Sequence, residues 1–198
     1  MRKLLLMFMM IVFLAGCANN NESIDKLKLE NYAYIYQTIT DNDTFDTVAD
    51  HFDMQVVMSL IGDNEYRYDI IIDNPQVAMY DIKMMAVENN IDYSLADKMM
   101  PSIGIFDDEE YNMVPYQVET SLGFVKGMVI SGTTNAPVIN LKIRITWKDY
   151  TKVEETKNYF NLTVDYFSQN ATYDNSSIPS FSITQNSETK NSTDIVTE

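Results

Sequence analysis

Apolar and polar residues alternate with a period of two through much of the central chain. The clearest run has Ile139, Leu141, Ile143, Ile145 and Trp147 separated by single polar residues. Successive side chains of an extended chain point to opposite faces, so this run places its apolar residues on one face. The run predicts a strand with one buried side and one solvent-facing side.

The same alternation predicts about seven to nine short strands, separated by residues that favour turns. They are expected near residues 32–39, 54–61, 66–73, 79–88, 103–106, 113–119, 125–131, 138–148 and 157–167. Hairpin turns are predicted at residues 62–64, 73–75 and 133–137, which contain glycine, asparagine or proline. Residues 43–51 have the features of one short helix, with Asp43 or Thr44 as its N-cap.

Strands at this spacing without long intervening helices predict an all-β fold, an antiparallel β-sandwich with at most one short helix. Residues 69–88 also align without gaps on residues 128–147, strand on strand and turn on turn. We interpret the alignment as two similar strand pairs within one sandwich. The predicted domain spans residues 24–184, and the polar residues 185–198 are predicted to form a disordered tail.

The first residues have the pattern of a targeting segment. Arg2 and Lys3 precede residues 4–14, an uncharged apolar run that would be about 16 Å long as a helix. That length is about half the hydrocarbon thickness of a bilayer. The pattern therefore favours a signal peptide over a permanent membrane span.

Leu14, Ala15, Gly16 and Cys17 resemble the lipobox of bacterial lipoproteins. The resemblance implies that signal peptidase removes residues 1–16 and that the Cys17 thiol carries a diacylglyceryl group. Residues 17–23 would then be a lipidated tether, and two acyl chains would hold the protein on the extracytoplasmic side of the cell membrane. The alternatives are an ordinary cleaved signal peptide with a free thiol, and an uncleaved signal anchor.

Residues 123–149 are similar to the central strand pair of small immunoglobulin-like modules of bacterial surface lipoproteins, of the FxLYD type. Gly127, Gly132, Pro137 and Trp147 carry the similarity, together with Lys148 and Asp149 after the tryptophan. The resemblance implies an immunoglobulin-like β-sandwich that binds or spaces, without catalytic residues.

The charge of the chain narrows the classes of partner. The formal net charge is −15, and removal of residues 1–16 makes it about −17, because that segment carries two basic residues and no acidic ones. Nucleic-acid surfaces and electrostatic contacts with anionic lipid need clustered lysine and arginine. We therefore expect no nucleic acid as a partner.

Few residues suggest catalytic or metal chemistry. The single histidine, His51, lies beside Asp50 and Asp53, but no nucleophile or zinc-binding motif accompanies it. We predict a solvent-facing or capping histidine.

Two groups of residues leave a metal or ligand site open. The four carboxylates of residues 107–110 are predicted to form a solvated loop, with loosely held calcium as the alternative. Five methionines lie close in sequence and are predicted to serve packing, with Cu(I) handling as the alternative: Met84, Met85, Met99, Met100 and Met113. Tyr32, Tyr34 and Tyr36, at a spacing of two, are predicted to pack on a strand face, with a binding face as the alternative.

These observations lead to one functional expectation and one alternative. We predict a lipid-anchored extracytoplasmic protein whose non-catalytic β-sandwich binds an envelope protein or surface ligand, without a cofactor or a structural metal. The alternative is a lipid-anchored carrier that holds a ligand or metal in its methionine-rich or acidic loops. An enzyme of another type ranks third.

Overall fold

The computed structural model describes residues 20–168, 170–173 and 181–182. The first described element is helix α1, Asn20–Thr40. Nine strands follow within the described ranges: β1 Asp53–Gly62, β2 Glu65–Asp73, β3 Tyr80–Glu88, β4 Ser102–Ile103, β5 Gly127–Thr134, β6 Val138–Lys148, β7 Glu155–Asp165, β8 Asn170–Tyr173 and β9 Phe181–Ser182. Two short 3-10 helices lie at Tyr93–Leu95 and Thr120–Leu122.

The strands form two antiparallel sheets that pack face to face. One sheet has the order β1-β2-β5, and the other has the order β4-β3-β6-β7-β8-β9. Immunoglobulin constant domains place strands A, B, E and D in one sheet and C, F and G in the other. Strands β1, β2 and β5 correspond to A, B and E, and strands β3, β6 and β7 correspond to C, F and G. Within the described ranges no strand takes the place of D. The predicted immunoglobulin-like β-sandwich is confirmed.

The main hydrophobic core lies between the two sheets. Tyr68 and Ile70 of β2 face Ile143 of β6 and Phe160 of β7, and all four side chains are fully buried. Buried and partly exposed positions alternate along β2 and along the first half of β6, with the period of two that predicted these strands. In the second half of β6, Arg144 and Thr146 are also buried, so the predicted solvent-facing side is wrong there.

Helix α1 forms a second hydrophobic cluster on the outer face of the six-stranded sheet. Tyr32, Tyr36 and Ile39 pack there with Met85 and Val87 of β3. The prediction of a strand at residues 32–39 is therefore wrong. Tyr32 and Tyr36 are four residues apart, and residues four apart share one face of a helix. The spacing of the tyrosines therefore fits a helix as well as a strand.

Exposure of the three tyrosines follows the helical geometry. Tyr32 and Tyr36 are buried, whereas Tyr34 lies on the opposite side of the helix and is 67% exposed. The end of the helix is held by Lys142 of β6, whose Nζ donates to the carbonyl oxygens of Thr40 and Asn42 at 2.8 and 3.2 Å. A cation at this position satisfies carbonyl groups that the last helical turn leaves unpaired.

The predicted short helix at residues 43–51 is also wrong. This segment has no helical turn and lies beside β7. The amide of Asp46 donates to the carbonyl of Tyr159 at 2.7 Å, and the Asp46 carboxylate accepts from the Tyr159 amide and the Asn158 side chain. Hydrogen bonds to a distant strand therefore override the local helical signals.

The predicted turns differ in what they connect. Residues 62–64 join β1 to β2 as an antiparallel hairpin, as predicted. Residues 73–75 and 133–137 instead carry the chain from one sheet to the other, so the predicted hairpins there are wrong. The sequence alignment nevertheless matched two equivalent segments, β2 with β3 and β5 with β6. In the structure β2 pairs with β5, and β3 pairs with β6.

Two further strand predictions need correction. Residues 113–119 form a loop with isolated bridges, and the strand predicted at residues 103–106 is reduced to the two-residue β4. The lipobox residues Leu14, Ala15, Gly16 and Cys17 and the predicted tail lie outside the described residues. Helix α1 begins at Asn20, so its first turn falls within the predicted tether. The described helices include none with the length and apolar character to cross a membrane.

Candidate binding surface at one end of the sandwich

The strand registers bring three loops to the same end of the sandwich. Asp73 at the end of β2 pairs with Gly127 at the start of β5. In the other sheet, Tyr80 pairs with Lys148, which pairs with Glu155. We call this end the loop end and define it as residues 74–79, 111–126 and 149–154. Loops on a rigid sandwich are common positions for binding residues.

Asn112 anchors the longest of these loops. Its side chain is buried, and its Oδ1 accepts a hydrogen bond from the Asp81 amide at 3.1 Å. The backbone N–H of Asn112 donates to the Gly123 carbonyl at 2.8 Å. The neighbouring residues Met79 and Met113 exchange two backbone hydrogen bonds, at 2.8 and 2.9 Å. The base of the loop is therefore fixed to β3.

Gly123 allows the loop to close on itself. Its φ angle is +75°, and a Cβ atom at this position would lie 2.4 Å from the carbonyl oxygen of Glu110. A side chain would therefore meet both a disfavoured backbone conformation and a backbone clash. Glu119 and Phe124 exchange backbone hydrogen bonds at 3.0 and 3.1 Å across the turn. The loop tip is thus a closed turn on an anchored base.

Large apolar side chains of the loop end point into solvent. Tyr116 is fully exposed, and Val118, Leu122, Tyr150 and Val153 are each more than 60% exposed. Tyr116 also has a φ angle of +63°, an uncommon conformation for a residue with a side chain. Clusters of exposed apolar residues on a folded protein mark interaction sites more often than isolated ones do.

A cleft of about 380 Å³ lies beside this apolar group. Its walls are residues 73–76 on one side and residues 114–118 with 125–126 on the other. One wall is fixed by Asn74, whose side chain donates to the Asp53 carboxylate at 2.8 Å. The other wall contributes Tyr116 and Val118, so the exposed apolar group continues into the cleft.

Lys152 connects the 149–154 turn to the rest of the loop end. Its Nζ lies 2.8 Å from a carboxylate oxygen of Glu110 and 5.3 Å from the centre of the Tyr80 ring. The Tyr80 ring in turn meets the Phe124 ring edge-on, with 6.4 Å between the ring centres. Side chains from separate loops therefore contact one another at this end.

An ion-pair cluster lies below the loops. The Asp81 carboxylate accepts from Lys148 at 2.8 Å and from Lys83 at 3.3 Å. Burial raises the pKa of Asp81, but the hydrogen bond from Lys148 and the charge of Lys83 outweigh burial and hold the pKa below its ordinary value. The same hydrogen bond raises the pKa of Lys148. The cluster is therefore charged across the neutral range.

His51 has a packing role. His51 is partly buried, and its ring meets the Trp147 indole edge-on, with 5.5 Å between ring centres. Over the part of the chain with described side chains, no group of three or more histidine, cysteine, aspartate or glutamate residues has a metal-binding arrangement.

The acidic and methionine-rich segments are engaged with the fold. Asp107 accepts from the Gly104 amide at 2.7 Å, and Asp108 accepts from Lys28 at 2.6 Å. The predicted packing role of the methionines is confirmed for four of the five, which are buried in the two hydrophobic clusters: Met84, Met85, Met100 and Met113. Met99 is 57% exposed.

The strand predicted at residues 113–119 conceals the exposed side chains of Tyr116 and Val118. Pro115 is the signal that contradicts that assignment, since proline removes a donor from a strand ladder. Comparisons with protein families, with characterised proteins and with solved structures found no match to this chain.

Proposed function

We propose that this protein is a lipid-anchored extracytoplasmic module that uses its loop end to bind an envelope protein or surface ligand, without catalysis. Two independent features support the proposal. The lipobox residues Leu14, Ala15, Gly16 and Cys17 supply the anchor. The loop end of the folded domain supplies a recognition surface.

The observation that carries the binding role is the set of exposed apolar side chains on the loop end, of which Tyr116 and Val118 line the cleft. Tyrosine and valine supply contact area at low conformational cost, because their side chains have few rotatable bonds. The sandwich and the Asn112 anchor fix the loop bases before a partner arrives, which reduces the ordering cost of binding.

The anchor is tested by membrane fractionation of the Cys17→Ser variant. Lipidated protein is expected in the membrane fraction, with a mature N-terminal residue that carries two acyl chains by mass spectrometry. The variant is expected to lose the acyl chains and leave the membrane fraction. Retention of Cys17→Ser in membranes, without acylation of either form, would reject the lipid anchor.

The binding surface is tested by co-purification from cells that produce variants at matched tyrosines. Tyr116→Ser and Tyr150→Ser remove exposed rings from the loop end, and Tyr34→Ser removes an exposed ring from α1. The first two are expected to lower the recovery of a co-purifying partner at least about tenfold, about 1.4 kcal/mol. Tyr34→Ser is expected to leave recovery unchanged. Equal recovery with all three variants would reject the loop end as the binding surface.

A further inference from the structure

Strand β5 is an edge strand with little protection against pairing, although the Nζ of Lys98 donates to the Thr133 carbonyl near the end of the strand. It has eight residues, and within the described ranges it pairs with β2 alone. Its register with β2 has no shift along its length. It contains no charged residue and no proline. Natural proteins normally shield exposed edges with charges, prolines, bulges or short strands, because a free edge offers hydrogen bonds to another strand.

A cleft lies at each end of β5. The cleft of the loop end includes Val125 and Lys126, just before the strand begins. A second cleft, of about 240 Å³, includes residues 131–133 near the end of the strand. Six to seven residue steps of about 3.4 Å separate the middle of residues 125–126 from the middle of residues 131–133, so the clefts are about 22 Å apart along the strand. One extended segment of about eight residues would reach both.

The two clefts differ in chemistry. The first cleft has polar and apolar side chains in its lining, and one of its walls carries Val114, Tyr116 and Val118. The second cleft has Arg67 and Lys98 in its lining and no carboxylate. Both cations keep exposed side-chain surface, 51% for Arg67 and 38% for Lys98, although each also contacts a carboxylate of its own chain. The first cleft suits an apolar group, and the second suits an anionic one.

A second copy of this chain is a poor occupant of the edge. Antiparallel pairing of two β5 strands about a two-fold axis brings the start of one strand beside the end of the other. Lys126 of each copy would then approach the Arg67 and Lys98 cleft of its partner. Like charges across an interface disfavour that pairing, and the net charge of −15 adds to the repulsion.

We propose that β5 binds an extended segment of the partner protein by strand addition, with an apolar residue of that segment in the first cleft and an acidic residue in the second. The inference rests on the proposed function and names the chemistry of the partner. Main-chain hydrogen bonds along β5 provide affinity, and the two clefts provide specificity. The spacing of the clefts requires about five to six residues between the apolar and the acidic group.

The test uses a synthetic eight-residue peptide, acetylated Tyr-Thr-Val-Thr-Val-Thr-Val-Glu amide, titrated into the domain by calorimetry. Saturable binding is expected below about 1 mM. Replacing the terminal Glu by Lys is expected to weaken binding at least about tenfold, because a charge-assisted contact is lost. Hydrogen exchange of the β5 amides is expected to slow when the Glu peptide is bound.

Two analogues test the strand pairing directly. One is N-methylated at its three valines and the other at its three threonines. Alternate residues of a strand point their N–H groups to opposite edges. One analogue is therefore expected to lose binding, and the other is expected to retain it. Absence of saturable binding by the parent peptide, or equal binding by both analogues, would overturn the proposal.

Matched variants test the anionic cleft. Arg67→Gln is expected to reduce the preference for the Glu peptide over the Lys peptide from about tenfold to less than about threefold. Lys157→Gln serves as the control, because Lys157 is also 51% exposed and also pairs with a carboxylate, but lies on another strand. An unchanged preference in Arg67→Gln would overturn the assignment of this cleft.

The outcomes separate this inference from the proposed function. If the peptide fails to bind while Tyr116→Ser still releases the cellular partner, strand addition is rejected and the loop end remains the binding surface. If the purified domain sediments as a dimer with protected β5 amides, the occupant is a second copy, and the proposed partner segment is rejected.

Discussion

Substitution of Gly132 by alanine tests the packing between β2 and β5. Gly132 lies directly opposite Tyr68 in the pairing of these strands. A Cβ atom on Gly132 would lie 2.2 Å from the Tyr68 hydroxyl oxygen and 2.3 Å from Cζ. The ring has little freedom to move, because Tyr68 is fully buried and its hydroxyl donates to Glu88 Oε1 at 2.5 Å.

The expected loss of stability has two parts. Overpacking a well-packed site costs about 1–3 kcal/mol. Displacement of the Tyr68 ring also weakens its hydrogen bond to Glu88, which is 3% exposed, and an unsatisfied buried group costs about 1–3 kcal/mol. Gly132→Ala should therefore lower the free energy of unfolding by about 2–6 kcal/mol, a large fraction of the usual stability of a domain.

Urea denaturation of Gly132→Ala and Gly62→Ala measures this effect against a matched control. A Cβ atom on Gly62 would lie 3.3 Å from the carboxylate of the exposed, flexible Glu65, so that variant should lose less than about 1 kcal/mol. Tyr68→Phe combined with Gly132→Ala should show non-additive losses, because both changes act on one hydrogen bond. A loss for Gly132→Ala within about 0.5 kcal/mol of the Gly62→Ala value would refute the reasoning.

Two further predictions concern residues at the base of the loop end. Asn112→Ala should lower stability by about 1–3 kcal/mol and speed proteolysis within residues 111–126, since a buried side chain that anchors the loop is lost; unchanged cleavage would contradict the anchoring role. The folded pKa of Asp81 lies below its ordinary value of 3.8, so the ion pair with Lys148 stabilises the fold above that value and loses its effect as pH falls through the folded pKa. The difference in melting temperature between the wild type and Asp81→Asn should therefore be largest near neutral pH and should disappear in acid. A difference that grows as pH falls would contradict the stated direction of the Asp81 pKa shift.

The central strands were predictable because their apolar residues alternate with polar ones. Strand β6 begins and ends at the predicted residues, 138 and 148, and its odd-numbered apolar residues all face the main core. Period-two burial against one face is a local property of the sequence, so the pattern of one strand suffices to recognise it.

Features that depend on distant contacts were not predictable. Helix α1 is stabilised by packing on Met85 and Val87, which lie about fifty residues away in sequence. Likewise, the turn residues at 73–75 indicate that the chain changes direction, but they do not indicate whether the next strand joins the same sheet or the opposite one. The binding surface depends on register between strands and therefore appears only in the folded protein.

Site-specific photo-crosslinking in living cells tests the central claim most directly. A photo-reactive residue replaces Tyr116, Tyr150 or Tyr34 in turn, each in the wild-type background and with Cys17→Ser. We predict one shared crosslinked envelope partner at positions 116 and 150, little at position 34, and loss of the crosslink with Cys17→Ser. Crosslinks that form equally at all three positions, or that persist without Cys17, would contradict a membrane-anchored module that binds through its loop end.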